Sequence, residues 1–269
     1  MPLEYQAIKN SFNRVAKNYS ENAVLQQEIL SRLLERLSDE KKISAEFQSK
    51  ALLELGCGPG WSFEELLNGF AIEQLTAIEF SKNMLAQTPD YKQVKTILSD
   101  VHELPLEDES QDVVFSNMML HWCNESDVFK ESFRVLKPNG LLLMSCLGET
   151  SLFELKQAWS EIDSKVHVHD FPALHSLGDL LLKTGFTQVV VNAEVITLTY
   201  ENIRSLMKDI KASGGQNAME NRSKGLMSKE KLYQLNRVYE QFREDGRLPA
   251  SYEIIYLRAK KPEQVIKKV

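Results

Sequence analysis

The stretch Leu52-Leu53-Glu54-Leu55-Gly56-Cys57-Gly58-Pro59-Gly60 sets a short apolar run directly against three alternating glycines. An apolar run of this length, stopped by glycine, is the pattern of a strand buried on both faces of a parallel sheet. Glycine after such a strand lets the chain turn sharply and brings backbone N–H groups up to a ligand with no Cβ in the way. A ligand carboxylate can then sit at the N-terminus of the helix that follows. Gly56-x-Gly58-x-Gly60 is shorter than the dinucleotide fingerprint, and Trp61 stands where its third glycine would be needed, which disfavours a nicotinamide dinucleotide.

Outward from this turn the chain alternates strand and helix. Residues 75–79, 94–98, 112–116 and 141–146 read as strands, with helices predicted over 83–87 and 128–136 and a tight turn at Lys137-Pro138-Asn139-Gly140. Such alternation predicts a parallel sheet covered by helices on both faces. Glu79 ends the second strand, where an acidic side chain accepts from ribose hydroxyls; Asp100 follows the third and can accept from an adenine amino group; Asn117 follows the fourth and borders the reacting end. All of them fall on the carboxyl edge of the sheet.

Before this core, Ile8, Phe12 and Val15, then Leu25, Ile29, Leu33 and Leu37, recur at helical spacing with a break near Asn18-Tyr19-Ser20. Beyond it, helices are predicted over 152–162 and 177–184, the latter stopped by Gly185, and strands over 189–191, 195–198 and 252–257. Helices over 203–210 and 229–242, joined through Ser213-Gly214-Gly215, fill the interval before the last strand. The expected organisation is a single domain over 1–269, with a helical flap (1–45), a cofactor-binding core (46–199), a helical lid insertion (200–250) and a last strand with a tail (251–269).

The chain has 269 residues, 43% hydrophobic and 26% charged, the composition of an ordinary globular protein with no low-complexity tract. Charged residues throughout the first thirty positions are not those of a signal peptide, and no apolar run approaches a membrane span, so a cytoplasmic protein with no membrane association is expected. The three cysteines form no CxxC pair and read as free thiols. A net charge of -6 argues against nucleic-acid binding. Residues 201–250 run against that balance, with ten Lys plus Arg and seven Asp plus Glu.

The glycine turn, Glu79, the run from Ser99 to Pro105 and the segment from Asp112 to Asn117 resemble the class I S-adenosylmethionine-dependent methyltransferases. More specific blocks lie outside the core: Phe12-Asn13-Arg14-Val15-Ala16-Lys17-Asn18-Tyr19, Leu120-His121-Trp122-Cys123, Ser151-Leu152-Phe153-Glu154-Leu155, residues 167–178, Lys211-Ala212-Ser213-Gly214-Gly215, and the run from Asp245 to Tyr252. These are similar to the malonyl-[acyl-carrier protein] O-methyltransferases of biotin synthesis. The resemblance implies a Rossmann-like α/β fold with a mostly parallel seven-stranded sheet, S-adenosylmethionine as cofactor, and methylation of the free carboxylate of a malonyl thioester on an acyl carrier protein or coenzyme A. It also implies a cofactor site of Tyr19, Glu54, Gly56, Cys57, Gly58, Gly60, Glu79, Phe80, Met84, Asp100, Val101, Asn117 and Met118.

A carboxylate with a pKa near ~4 is already ionised at neutral pH, so positioning groups are expected in place of a general base or a covalent residue. Tyr19, His121 and Trp122 are the positioning candidates, with His121, Arg14, Arg204 and Lys211 as candidates for the substrate carboxylate. Two alternatives stay open. One is another small carboxylate or hydroxyl acceptor; the other is the mitochondrial complex I assembly factor that hydroxylates arginine, which is similar in its Trp-containing segment, leucine-rich helix and P-A-[ST]-Y ending. No metal is expected, and His167, His169 and Asp170 read as loop packing.

Overall fold

The structure, a computed structural model, describes residues 4–43, 50–70, 72–215 and 228–263. The apolar run forms β1 (Ala51–Leu55), in the interior of a seven-stranded sheet. Parallel neighbours flank it on either side, β2 (Gln74–Glu79) and β4 (Gln111–Ser116). β3 (Val94–Leu98) pairs with β2, and β5 (Leu136–Leu147) pairs with β4. β6 (Thr187–Tyr200) and β7 (Leu248–Lys260) complete the order 3-2-1-4-5-7-6. β7 runs antiparallel to both of its neighbours.

Strand alternation divides the core between the two faces of this sheet. Leu52, Val113 and Phe115 pack with Ile29, Leu33 and Leu37 of α3 (Val24–Ile43), whereas Leu53, Leu55 and Val114 pack with Phe129 of α6 (Glu125–Val135) and Leu181 of α8 (Leu174–Thr184). The break expected near residues 18–20 is a 3-10 turn, Ala16–Asn18, between α1 (Tyr5–Val15) and the short α2 (Tyr19–Asn22). α4 (Phe63–Gly69) follows the glycine turn, and α5 (Lys82–Leu85), capped by Ser81, follows β2.

Two sequence expectations are corrected. Lys137-Pro138-Asn139-Gly140 does not form a separate turn before the fifth strand but is absorbed into the start of β5. The surplus residues bulge where Gln111 pairs with Leu136 and Val113 already pairs with Leu141, with Asn139 at φ 63°. Residues 189–191 and 195–198 are one strand, because β6 is the edge of the sheet and its outer positions tolerate the polar segment between them. Glu194 there accepts from Arg32 at 2.6 Å and from the Tyr256 hydroxyl at 2.6 Å.

α7 (Phe153–Ser160) follows β5, and the insertion between β6 and β7 holds α9 (Ile203–Ala212) and α10 (Lys229–Tyr239). Among the described residues no helix is long and apolar enough to cross a membrane. Lys224, one of the cations behind the basic excess, lies outside the described residues.

Candidate active site

β1 enters the site through backbone bonds. Gly56 N–H and Cys57 N–H both donate to the Ile78 carbonyl, at 2.8 and 3.1 Å, which fixes the turn against β2. Gly56 has φ 69°, and a Cβ there would sit 2.5 Å from Cγ of Met119, so only glycine fits. At Gly58, φ 55°, nothing lies within 4 Å of where a Cβ would be, and a ligand can approach the backbone. Gly60 has a packing role: its missing Cβ leaves room for the Phe63 ring, 2.7 Å away.

Glu79 is buried, and its carboxylate accepts from Gly58 N–H at 3.0 Å and from Ser81 N–H at 2.7 Å. Burial raises its pKa while those N–H bonds oppose the rise. A carboxylate has about four acceptor positions, so two remain for ligand hydroxyls. Asp100 is engaged by His102, which meets it through its backbone N–H (3.0 Å) and through Nδ1 (2.5 Å). Nε2 of His102 accepts from Asn124 N–H at 2.9 Å, which places the ring proton on Nδ1.

The N-terminal helices are tied to this edge. Oδ1 of Asn13 accepts from the Ser81 hydroxyl at 2.8 Å and from Asn83 N–H at 3.0 Å. Asn117 donates through Nδ2 to the Gln26 carbonyl at 2.9 Å and accepts from Ser145 at 2.8 Å. Tyr19 is buried and stacks on Trp61 with 5.2 Å between ring centroids, and Trp61 donates to the Ser20 hydroxyl at 3.0 Å. Burial raises the Tyr19 phenol, with the Glu79 carboxylate adding to the effect, so it stays a neutral hydroxyl.

A cavity of about 1250 Å³, its open mouth included, runs between the N-terminal helices and the carboxyl edge. Of the residues expected in the cofactor site, Tyr19, Gly56, Gly58, Glu79, Phe80, Met84, Asp100, Val101, Asn117 and Met118 line it. Glu54, Cys57 and Gly60 do not: Glu54 lies beneath the turn, accepting from the Ser62 hydroxyl at 2.5 Å. His121 and Trp122 line the same cavity, continued by Phe171, Leu198 and Tyr252. Phe12 packs edge-on to Trp122 and belongs to the same wall. Arg14, Arg204 and Lys211 are exposed and none lines the cavity, so the expected cationic partner for a carboxylate is not found at those positions.

His167 stacks on Trp159 at 3.7 Å and bonds Asp163 at 2.7 Å, and His169 bonds the His121 carbonyl at 2.9 Å. Among the described residues no group of three or more His, Cys, Asp or Glu is placed to hold a metal ion. The three cysteines are free, and burial pushes all three thiols up, away from the reactive thiolate.

Residues 53–144 match the family model for a methyltransferase domain. Over 97% of its length the chain is 36% identical to the malonyl-[acyl-carrier protein] O-methyltransferase of Gallionella capsiferriformans, covering 92% of that protein. Against the enzyme of the same name from a Methylovorus species the identity is 38%, over 97% of this chain and 90% of the other. The chain belongs to the malonyl-[acyl-carrier protein] O-methyltransferase family. Its fold is shared more widely: phosphoethanolamine N-methyltransferase 2 of Haemonchus contortus, solved with phosphomonomethylethanolamine and S-adenosylhomocysteine, superposes with a TM-score of 0.58 at 17% identity, over 97% of this chain and 61% of that one.

For this family member, sequence reasoning passed over His102, Phe171 and Tyr252, all of which line the cavity. Tyr252 ends the run from Asp245, whereas His102 carries no signal beyond standing two residues after Asp100.

Burial pushes the Glu54 carboxyl up to about 8 from an ordinary 4.5, against the opposing bond from Ser62. The folded state thus keeps the proton to a higher pH than the unfolded chain does. The resulting stabilisation is complete below about pH 4.5 and is lost as the pH rises toward 8. Glu54→Gln keeps an acceptor for Ser62 and cannot ionise, so the fall in Tm across this window is expected to flatten. Thermal unfolding at a series of pH values checks it; a slope equal to that of the unsubstituted chain rules the assignment out.

Proposed function

We propose that this chain transfers a methyl group from S-adenosylmethionine to the free carboxylate of a malonyl thioester, the step that opens pimeloyl synthesis for biotin. One observation carries the reading. In a chain that matches the named relatives over almost its whole length, a single cavity joins the acidic, glycine-lined end at Gly58, Glu79 and Asp100 to an aromatic end at His121, Trp122 and Phe171.

The first end suits the donor, since Glu79 and Asp100 offer acceptors for ribose and adenine and the Gly58 backbone is open to approach. Bound S-adenosylmethionine supplies an electrophilic methyl carbon on a positively charged sulfur. An acceptor carboxylate is already ionised at neutral pH, so the residues of this chain would have no proton to remove from it. The protein's task is therefore alignment and the exclusion of water. Tyr19, Phe12 and Trp122 wall the cavity with aromatic surface, and the bonds of Asn13 and Asn117 keep the flap seated over it.

Purified chain incubated with methyl-labelled cofactor and malonyl-acyl carrier protein is expected to yield a base-labile methyl ester. Label appearing only on another acceptor, or no transfer, overturns the reading. Glu79→Ala is expected to weaken cofactor binding, followed by calorimetry, by about 1–3 kcal/mol through loss of a buried acceptor; unchanged affinity removes Glu79 from the site.

An acyl carrier protein is the partner in this reading. Carrier proteins are acidic, and α10 presents Lys229 and Arg237 to solvent with no ion pair among the described residues. Reversing both charges is expected to lower kcat/KM for malonyl-carrier protein several-fold more than for malonyl-CoA, and equal losses on the two substrates would sink the docking role.

A further inference from the structure

His121 is 4% exposed, and the protein fixes it from several sides. The backbone N–H of Leu147 donates to its Nδ1 at 3.3 Å. A backbone N–H can meet only an unprotonated ring nitrogen, so the imidazole proton resides on Nε2. The His121 carbonyl accepts from Nε2 of His169 at 2.9 Å, which anchors the backbone. Trp122 lies against the ring at 5.1 Å between centroids, and Phe171 meets it edge-on at 5.8 Å. Burial, with the neighbouring His169 adding to it, pushes the imidazole down to about 3, so the ring stays neutral.

One group of this held ring is unused. Nε2–H has no hydrogen-bond partner among the described residues, and the ring lines the cavity. This nitrogen is not among the buried polar atoms that lack a partner, so it keeps accessible surface although the residue is buried, and an acceptor in the cavity that the residue lines can reach it. The other relevant fact is charge: no Lys or Arg among the described residues lines this cavity. Among the described lining residues, the donors a carboxylate can meet are neutral.

That combination has a chemical use. A fixed guanidinium would hold a carboxylate tightly but would draw density from the oxygen that must attack, stabilising the ground state more than the transition state. A neutral N–H on one oxygen orients the group and leaves the other oxygen nucleophilic. The ester product, having lost its charge, accepts a weaker bond and leaves more readily.

Resting on the reading of this chain as a malonyl-thioester methyltransferase, we propose that His121 is the acceptor-binding residue, its Nε2–H holding one oxygen of the malonyl carboxylate.

Two substitutions separate the two ring nitrogens. His121→Asn places an amide oxygen where Nδ1 stands, keeping an acceptor for Leu147, and has nothing at Nε2. His121→Gln reaches the Nε2 position with an amide N–H and gives up the Leu147 bond. Calorimetry on the full chain saturated with S-adenosylhomocysteine reads malonyl-CoA binding without turnover. The Kd is expected to rise about ten-fold or more in His121→Asn, with most of the loss recovered in His121→Gln and S-adenosylhomocysteine binding unchanged in both. The methyl ester of malonyl-CoA, which accepts the weaker bond, is expected to lose less affinity in His121→Asn than malonyl-CoA does. An unchanged malonyl-CoA Kd in His121→Asn, or equal weakening of S-adenosylhomocysteine in both variants, overturns the role of His121 while the unsubstituted chain still methylates malonyl thioesters. An unsubstituted chain inert toward every malonyl thioester overturns the functional reading and this role with it.

Discussion

Two backbone N–H groups at the edge of the sheet, on Gly58 and Ser81, need an acceptor, and the Glu79 carboxylate serves both. They belong to the turns after β1 and after β2, so one side chain at the end of β2 secures adjacent turns. A buried N–H left unpaired costs about 1–3 kcal/mol, which makes this more than a ligand contact. The dependence extends outward. Ser81 caps α5 by accepting from Met84 N–H at 3.2 Å and donates its hydroxyl proton to Asn13, so the seat of α1 rests on a serine that Glu79 orients. The residue expected to bind the donor is also the one that shapes the place where it binds.

Much of this was legible in the residues themselves. β1, β2 and β4 are buried on both faces, and an apolar run ended by glycine or by an acidic residue has few other readings. β6 was harder, because an edge strand carries polar residues such as Asn192 and Glu194 without penalty and so imitates two strands with a turn between. Lys137-Pro138-Asn139-Gly140 has turn composition, and a bulge uses the same residues as a turn. Neither distinction exists in local sequence; both depend on what lies alongside.

The candidate cations illustrate a signal that was present and unused. Ile203 and Leu206 are buried and Ile210 lines the cavity, marking the inward stripe of α9 at helical spacing, and that stripe turns Arg204 and Lys211 outward. In α1 the inward positions are Ile8, Ser11 and Phe12, which leaves Arg14 to solvent. A family block can be kept for packing as well as for chemistry, and the helical period tells the two apart. His102 gave no such signal, because its bond to Asn124 joins residues 22 positions apart.

The reversed direction of β7 has a further consequence. Tyr200 at the end of β6 pairs with Leu248 at the start of β7, so the chain leaves and re-enters the sheet at neighbouring points on the same edge as the cavity. The stretch between those points hangs on adjoining ends, so added length costs little closure entropy, about 0.6 kcal/mol per doubling of a flexible loop, while Leu206, Leu235 and Tyr239 pack its helices into the main core. A change of length between those points leaves the pairing of β1 with β2, and so the setting of the glycine turn and Glu79, as it is.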